Sequence, residues 1–179
     1  MKLVVLDRDG VINQDSAEFV KSPDEWLPIE GSLDAIARLT HAGYHIIVVT
    51  NQSGLSRGLF NIETLHQIHA KMYRMVHEVG GMIDAVFYAS SHDNRHPDRK
   101  PNPGMLTNIE QRLNIKLKDV PIVGDSWRDI EAARQVGGQP VLVKTGNGLK
   151  TLTEIDDLES IRVFDDLVAV ADHLLSHNQ

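Results

Sequence analysis

The chain of 179 residues contains no cysteine, which excludes a disulfide framework and any zinc site built on thiolates. Positive charge is also scarce, because 18 Lys and Arg against 25 Asp and Glu give a formal net charge of -7. Sequence-independent binding of nucleic acid needs a basic face, so this negative charge argues against it. No apolar stretch approaches membrane-spanning length, and Met1-Lys2 leads into an apolar run without a signal-peptide pattern. We therefore expect a soluble, cytoplasmic protein that binds neither nucleic acid nor membrane.

Short apolar runs alternate with amphipathic helical patterns along the chain. The runs predict strands over residues 3–6, 44–49, 85–88, 120–123 and 141–143, with an edge strand at 161–164. Five helices are predicted between the strands. Ser32 caps the first, which Ala42-Gly43 stops, and Asn61 caps the second, which Gly80-Gly81 ends. Pro103 opens the third, the fourth covers residues 130–136, and the last runs through Leu174. This alternation predicts a single α/β domain over residues 1–179, a three-layer sandwich around a mainly parallel sheet with right-handed crossovers.

Two carboxylates follow the first predicted strand, in the sequence Asp7-Arg8-Asp9-Gly10. Open α/β sheets place their chemistry at the carboxyl ends of their strands. Two acidic groups this close cannot both ionise cheaply in a partly dry crevice, so the pair favours a bound cation, a shared proton or both. On these residues alone an ordinary polar turn is an equal alternative, because Asp-Gly is a common turn dipeptide.

Three further polar segments occupy matching places in the predicted fold. Thr50 follows the second strand and supplies a hydroxyl and neighbouring backbone N–H groups that suit a phosphate oxygen. Lys100 lies in a stiff, proline-rich segment just before a helix start. Asp125 follows the fourth strand and supplies a third carboxylate, with Asp129 four residues later. Taken singly, each has a structural alternative as a turn cap or a solvated charge, but together they predict a phosphate and metal site.

These segments resemble the four motifs of the haloacid dehalogenase superfamily of phosphotransferases. The segments are Asp7-Arg8-Asp9-Gly10-Val11-Ile12, Val48-Val49-Thr50-Asn51, Arg99-Lys100-Pro101 and Gly124-Asp125-Ser126. Within the superfamily, residues 51–58 and 99–105 are similar to those of the D-glycero-D-manno-heptose 1,7-bisphosphate 7-phosphatases, with the histidinol-phosphate phosphatases as nearest neighbours. The resemblance implies a Rossmann-like fold without a large cap domain and removal of the 7-phosphate in heptose precursor biosynthesis.

The resemblance also implies a role for each motif residue. Asp7 would be the nucleophile that forms an aspartyl-phosphate, and Asp9 would be the acid and base, protonated at the start of the reaction. Mg²⁺ would be held by Asp7, the backbone carbonyl of Asp9 and Asp125. Asp129 would orient Lys100 or cap the next helix. The implied substrate-binding residues are Asp15, Ser16, Ala17, Glu18, Thr50, Asn51, Gln52, Ser53, Arg57, Arg99 and Lys100.

One segment departs from the family pattern. Many relatives carry a cysteine-rich zinc loop before the Arg-Lys-Pro motif, whereas residues 90–98 here hold His92, His96 and Asp98 but no thiolate. Closed structural zinc sites of this spacing normally use sulfur. We therefore expect Mg²⁺ as the cofactor and no zinc, with hydrogen bonds and Pro97 ordering the loop.

Two alternative functions stay open at this stage. A histidinol-phosphate phosphatase would need acidic contacts for an amine and an imidazole, whereas Arg57 favours a second phosphate because its planar group binds two oxygens at once. A receiver-like signalling domain carries its phospho-accepting aspartate after the third strand, but Tyr88-Ala89-Ser90 contains no carboxylate. Nothing in the sequence suggests assembly, so we expect a monomer that acts on a small sugar bisphosphate.

Overall fold

In a computed structural model, which describes residues 1–157 and 160–176, six strands form one sheet in the order β3-β2-β1-β4-β5-β6. All five neighbouring pairs are parallel. The predicted α/β fold around a parallel sheet is confirmed, and the strand order reverses between β1 and β4. The strands are β1 (Lys2–Leu6), β2 (Tyr44–Asn51), β3 (Ala85–Ala89), β4 (Pro121–Gly124), β5 (Gln139–Val143) and β6 (Arg162–Phe164).

Helices cover both faces of the sheet. Val4 and Leu6 of β1 pack into one apolar cluster with α1, α2 and α6, whereas Leu3 and Val5 pack into a second cluster with α3 and α4. Successive side chains of a strand point to opposite faces, so this alternation produces the three layers. The helices are α1 (Ser32–His41), α2 (Ile62–Glu78), α3 (Gly104–Leu113), α4 (Trp127–Gln135), α5 (Gly148–Glu154) and α6 (Leu167–Ser176).

Several local predictions were wrong in detail, among them the helix predicted over residues 130–136, which runs from Trp127 to Gln135. Ser32 is the first residue of α1 rather than its cap; Gly31 takes the cap position with φ 76°, and the Ser32 hydroxyl donates to the carbonyl of Ile12 at 2.6 Å. β2 continues through Thr50 and Asn51, because both residues pair with β3. No sequence pattern predicted α5, a helix of seven residues with two buried positions, because so short a segment carries little periodicity.

A long loop, residues 7–31, connects β1 to α1 and contains neither a helix nor a strand. Its backbone makes isolated bridges between Asp9 and Asn13 and between Asn13 and Pro28. The side chains of Val11, Ile12 and Trp26 belong to this loop and are fully buried in the core. They attach the loop to the domain. In the described part of the chain, no helix is both long enough and apolar enough to cross a bilayer.

Candidate active site

Most of the predicted site residues meet at the carboxyl edge of the sheet. Asp7 follows β1, Thr50 lies at the end of β2 and Asp125 follows β4. These three strands are neighbours at the centre of the sheet, next to the point where the strand order reverses, which is where open α/β sheets bind ligands. One pocket there is lined by Asp7, Asp9, Asp15, Ser16, Phe19, Val20, Thr50, Asn51, Gln52, Lys100, Asp125, Ser126, Arg128 and Asn147.

Lys100 is buried between two carboxylates. Its Nζ lies 2.6 Å from Oδ1 of Asp129, 3.0 Å from Oδ1 of Asp7 and 3.0 Å from the carbonyl oxygen of Val49. Burial lowers the pKa of Lys100, but the charges of Asp129 and Asp7 outweigh it and raise the pKa above its ordinary value. The amide of Asn51 holds the backbone of Lys100 through two hydrogen bonds of 3.0 and 3.1 Å. The result is a fixed positive charge beside Asp7.

Asp129 both contacts Lys100 and caps α4, the two roles that the sequence left open. Its Oδ1 accepts from Lys100, while its Oδ2 accepts from the backbone N–H of Ser126 at 3.1 Å and from the Ser126 hydroxyl at 2.6 Å. The second set forms a capping box at the start of α4. Because both oxygens are engaged, Asp129 orients the lysine and caps the helix at once.

Three carboxylates could hold a metal ion by distance alone. One oxygen each from Asp7, Asp125 and Asp129 lies within 4.8 Å of the others. Both oxygens of Asp129 already accept hydrogen bonds from Lys100 and Ser126, so Asp7 and Asp125 are the carboxylates better placed to hold an ion. In the described residues, no N–H group donates to the carbonyl oxygen of Asp9, which leaves that oxygen available as a third ligand.

The electrostatics of these two carboxylates also suit a cation. Burial raises the pKa of Asp7 well above its ordinary value; Lys100 lowers it, and the neighbouring carboxylates raise it further. Burial, followed by the charge of Asp129, raises the pKa of Asp125 to about 7, although hydrogen bonds from Asn147 oppose the shift. A bound divalent cation would reverse these shifts, because it favours the ionised carboxylates.

Two glycines leave room for the carboxylate of Asp125. Gly10 has φ 81° and Gly146 has φ 56°, a region that L side chains rarely adopt. A Cβ atom at either position would overlap the Asp125 side chain. The turns after β1 and β5 thus both pack against the Asp125 carboxylate.

Asp9 accepts hydrogen bonds from several side chains. Arg8 donates to both oxygens of Asp9, from Nη2 at 2.9 and 3.0 Å and from Nε at 3.2 Å. Asn13 donates to Oδ1 at 2.8 Å, and Gln52 donates to Oδ2 at 2.8 Å and to the Thr50 hydroxyl at 2.9 Å. Burial raises the pKa of Asp9, but Arg8 and these hydrogen bonds outweigh it and lower the pKa. The lowered pKa favours the ionised form of Asp9 in the protein without substrate, and its protonation at the start of the reaction stays a prediction.

The predicted substrate-binding residues divide into two groups. Asp15, Ser16, Thr50, Asn51, Gln52 and Lys100 line the pocket, whereas Ala17, Glu18, Ser53, Arg57 and Arg99 lie outside its lining. Ala17 and Glu18 line two adjoining surface depressions. Arg99 is largely buried and donates to Asn94 and to the carbonyl of Ser91, so its guanidinium is partly occupied by the 90–98 loop.

Sequence reasoning missed Arg128 and Asn147, which both line the pocket. Asn147 joins two parts of the site, because its side chain donates to Asp15 at 2.7 Å and to Asp125 at 3.1 Å. It lies in the polar turn after β5, so the rule that favoured the ends of the other strands would have found it. Arg128 lies on α4 close to Asp125 in sequence, and no motif distinguished it from a solvated helix residue.

Hydrogen bonds hold the 90–98 loop together. Nδ1 of His92 lies 2.9 Å from the Ser56 hydroxyl, and Nδ1 of His96 accepts from the backbone N–H of Asp98 at 3.2 Å. Asn102 donates to the carbonyl oxygens of both Asn94 and His96 at 2.9 Å. Hydrogen bonds thus order the loop as expected, and the absence of zinc stays a prediction.

Comparison with known proteins gives a consistent set of matches. A family model described as HAD-hydrolase-like matches residues 98–170. The D-glycero-β-D-manno-heptose-1,7-bisphosphate 7-phosphatase of Bordetella bronchiseptica is 54% identical over 176 residues, covering 98% of both chains. The enzyme of the same name from Neisseria meningitidis serogroup A is 47% identical over 181 residues, covering 99% of this chain and 97% of its own.

Solved structures agree with the sequence matches. The crystal structure of D,D-heptose 1,7-bisphosphate phosphatase from B. bronchiseptica, complexed with magnesium and phosphate, has a TM-score of 0.96 at 53% identity and covers 99% of each chain. The corresponding phosphatase structure from Burkholderia thailandensis has a TM-score of 0.79 at 49% identity, covering 98% of this chain and 99% of its own.

Proposed function

The chain belongs to the haloacid-dehalogenase-like family of D-glycero-D-manno-heptose-1,7-bisphosphate 7-phosphatases, and from that premise we propose that it removes the 7-phosphate of this sugar bisphosphate through an aspartyl-phosphate. We further propose that residues 1–179 act as one phosphatase domain, monomeric and cytoplasmic, although 158, 159 and 177–179 lie outside the described residues. The substrate is a small sugar bisphosphate.

The arrangement around Asp7 carries the proposal. Its carboxylate accepts from the backbone N–H of Arg8 at 2.7 Å and lies 3.0 Å from Nζ of Lys100, so its orientation is set from two sides. The hydroxyl of Thr50 and the ammonium of Lys100 line the same pocket. Oxygens of a phosphoryl group could contact both while Asp7 attacks phosphorus, and phosphoryl transfer depends mainly on such positioning and charge stabilisation.

The residues present fit Mg²⁺, a hard cation that takes oxygen ligands. Asp7, Asp125 and the carbonyl of Asp9 would hold it. When bound, the cation would neutralise part of the negative charge that a phosphate dianion brings to these carboxylates and stabilise the transition state. Without a cation, the repulsion between a phosphate dianion and ionised Asp7 and Asp125 would disfavour binding.

Asp9 supplies the proton transfers. In the first step the Asp7 oxygen forms a bond to phosphorus, the bond between phosphorus and the sugar oxygen breaks, and Asp9 donates a proton to the departing oxygen. In the second step Asp9 removes a proton from the water that attacks the aspartyl-phosphate, which regenerates Asp7 and releases phosphate. Asp9 takes up its proton once substrate is present, because a phosphate dianion nearby raises the carboxyl pKa.

Arginines near the pocket favour a substrate with a second phosphate. Arg128 lines the pocket, and burial followed by repulsion from Arg128 and Arg57 lowers the pKa of Arg99. In the described residues, neither Arg57 nor Arg128 has a carboxylate partner within 4 Å. This concentration of positive charge suits a distal phosphate and disfavours histidinol phosphate, whose amine is cationic.

Phosphate release from heptose 1,7-bisphosphate with Mg²⁺ tests the proposal. We expect the Asp7→Asn variant to lose at least about a thousandfold in kcat, because the amide cannot act as the nucleophile. Asp24→Asn, the same change at an exposed carboxylate, serves as the matched control and should retain wild-type kcat. Turnover by Asp7→Asn at the wild-type rate would refute the assignment. A panel of both anomers and histidinol phosphate defines the substrate, and the relatives' names lead us to expect preference for the β anomer.

A further inference from the structure

A buried arginine lies directly behind Asp9. The guanidinium of Arg8 is fully buried, and the Asp9 side chain is 20% exposed on the side of the pocket. The backbone N–H of Arg8 donates to Asp7, while its Nε and Nη2 donate to Asp9. One residue therefore orients both carboxylates of the motif, Asp7 through its backbone and Asp9 through its side chain.

His69 on α2 supports the other end of this guanidinium. Its Nε2 lies 3.2 Å from Nη1 of Arg8. A guanidinium can only donate hydrogen bonds, so Nε2 is the acceptor and the imidazole is neutral with its proton on Nδ1. Burial and the charge of Arg8 lower the pKa of His69 to about 3, which agrees with a neutral ring.

His69 lies outside the pocket lining. It is 7% exposed on the apolar face of α2, between Leu65 and Met72. Its ring packs against Tyr88 with the ring centres 6.3 Å apart. A buried polar side chain in an apolar helix face is costly unless it is hydrogen-bonded, and the hydrogen bond from Arg8 meets that need.

We propose that His69 is a positioning residue for proton transfer: it orients Arg8, and Arg8 in turn holds the Asp9 carboxylate at the pocket wall. The inference rests on the proposed function of Asp9 as the acid that protonates the departing sugar oxygen. Without an acceptor at position 69, the Nη1 side of the buried guanidinium would be unpaired, and Arg8 would shift to recover a partner. The Asp9 carboxylate would shift with it.

Four variants separate positioning from general structural damage. His69→Phe and His69→Asn remove an acceptor that can reach Arg8, whereas His69→Gln places an amide oxygen near the position of Nε2. His77→Phe is the matched control, because His77 lies on the same helix and is exposed. For His69→Phe and His69→Asn we expect kcat for the bisphosphate to fall about 10- to 100-fold, with KM within about threefold of wild type. His69→Gln and His77→Phe should stay within about threefold of wild type in both constants.

A second substrate tests the link to the acid. First-turnover release of p-nitrophenolate from p-nitrophenyl phosphate needs no proton on the leaving group, so His69→Asn should leave that rate within about threefold of wild type. The same variant should slow first-turnover cleavage of the sugar bisphosphate about 10- to 100-fold. Equal loss on both substrates, or no loss on either, would overturn the inference.

The outcomes also separate this inference from the proposed function. If the wild type and His69→Asn cleave the bisphosphate equally fast, only the role of His69 is contradicted. Wild-type protein that does not cleave the bisphosphate contradicts the proposed function itself. Should His69→Phe fail to fold, the comparison of Asn with Gln at this position still decides the matter, since both are neutral amides and differ in reach.

Discussion

We expect the Asp125→Asn variant to be more stable than wild type when no divalent cation is present. Asp125 is 3% exposed, and burial, followed by the charge of Asp129, raises its pKa from 3.8 to about 7. A raised carboxyl pKa means that the folded state binds a proton more tightly than the unfolded state does. The wild-type protein therefore loses stability as the pH rises from 3.8 through about 7, and asparagine removes this loss.

The expected gain follows from the size of the shift. Ionising Asp125 in the folded protein at pH 8 costs on the order of 4 kcal/mol. Asparagine keeps an oxygen for the backbone N–H of Asn147, 2.7 Å from the present carboxylate oxygen, but loses the charge of the acceptor, which removes about 1 kcal/mol. The net gain in the free energy of unfolding is about 2–3 kcal/mol, or roughly 5–10 °C in Tm for a chain of this size.

Differential scanning calorimetry with a chelator at pH 4, 6 and 8 measures this gain. The difference in Tm between variant and wild type should be small at pH 4 and reach its full value at pH 8. Mg²⁺ at a hundred times its Kd should stabilise the wild type by about 2.7 kcal/mol and leave the variant unchanged, because a metal ligand is lost. Asp24→Asn controls for the loss of one surface charge. A variant that is no more stable than wild type at pH 8 in chelator, or a difference that does not depend on pH, would refute the reasoning.

Two further changes test the supporting residues. In Gly124→Ala the new Cβ would overlap Asp129 and displace Lys100. We expect kcat to fall about 10- to 100-fold and the free energy of unfolding to fall by about 1–3 kcal/mol, as measured by steady-state kinetics and thermal unfolding. An unchanged kcat would contradict the role of Asp129. Arg128→Gln should raise KM for the bisphosphate about tenfold or more and leave KM for a sugar monophosphate unchanged, and equal effects on both substrates would exclude contact with the distal phosphate.

Much of the fold was accessible from local patterns in the chain. The alternation of apolar runs with helical patterns predicted the parallel sheet, and five of the six helices within residues 1–157 and 160–176 had recognisable signals. The exception is α5, whose seven residues contribute two buried positions. Ends of elements were less accurate, as at Ser32 and in the last two residues of β2, because tertiary pairing and capping decide where an element stops.

The pocket residues also divide into those that local patterns predicted and those that depend on tertiary contacts. Residues at strand ends, such as Asp7, Thr50 and Asp125, were predictable because parallel strands bring their carboxyl ends to one edge. Arg128 and Asn147 were missed, and the hydrogen bonds that lower the pKa of Asp9 were not foreseen. Gln52 lies 43 positions from Asp9 in the chain, yet its amide donates to that carboxylate. Spacing along the chain contains no information on such a contact.

The sequence by itself determined which side chains could do chemistry and at which edge of the sheet they would lie, because the alternation of strands and helices predicts parallel strands, whose carboxyl ends share one edge. Only the tertiary structure decided how each charge is held. The protonation of Asp9, the double role of Asp129 and the support of Arg8 by His69 depend on burial and on distances of about 3 Å between groups far apart in the chain. Electrostatic energies vary steeply over such distances, so they are set when the elements pack and not before.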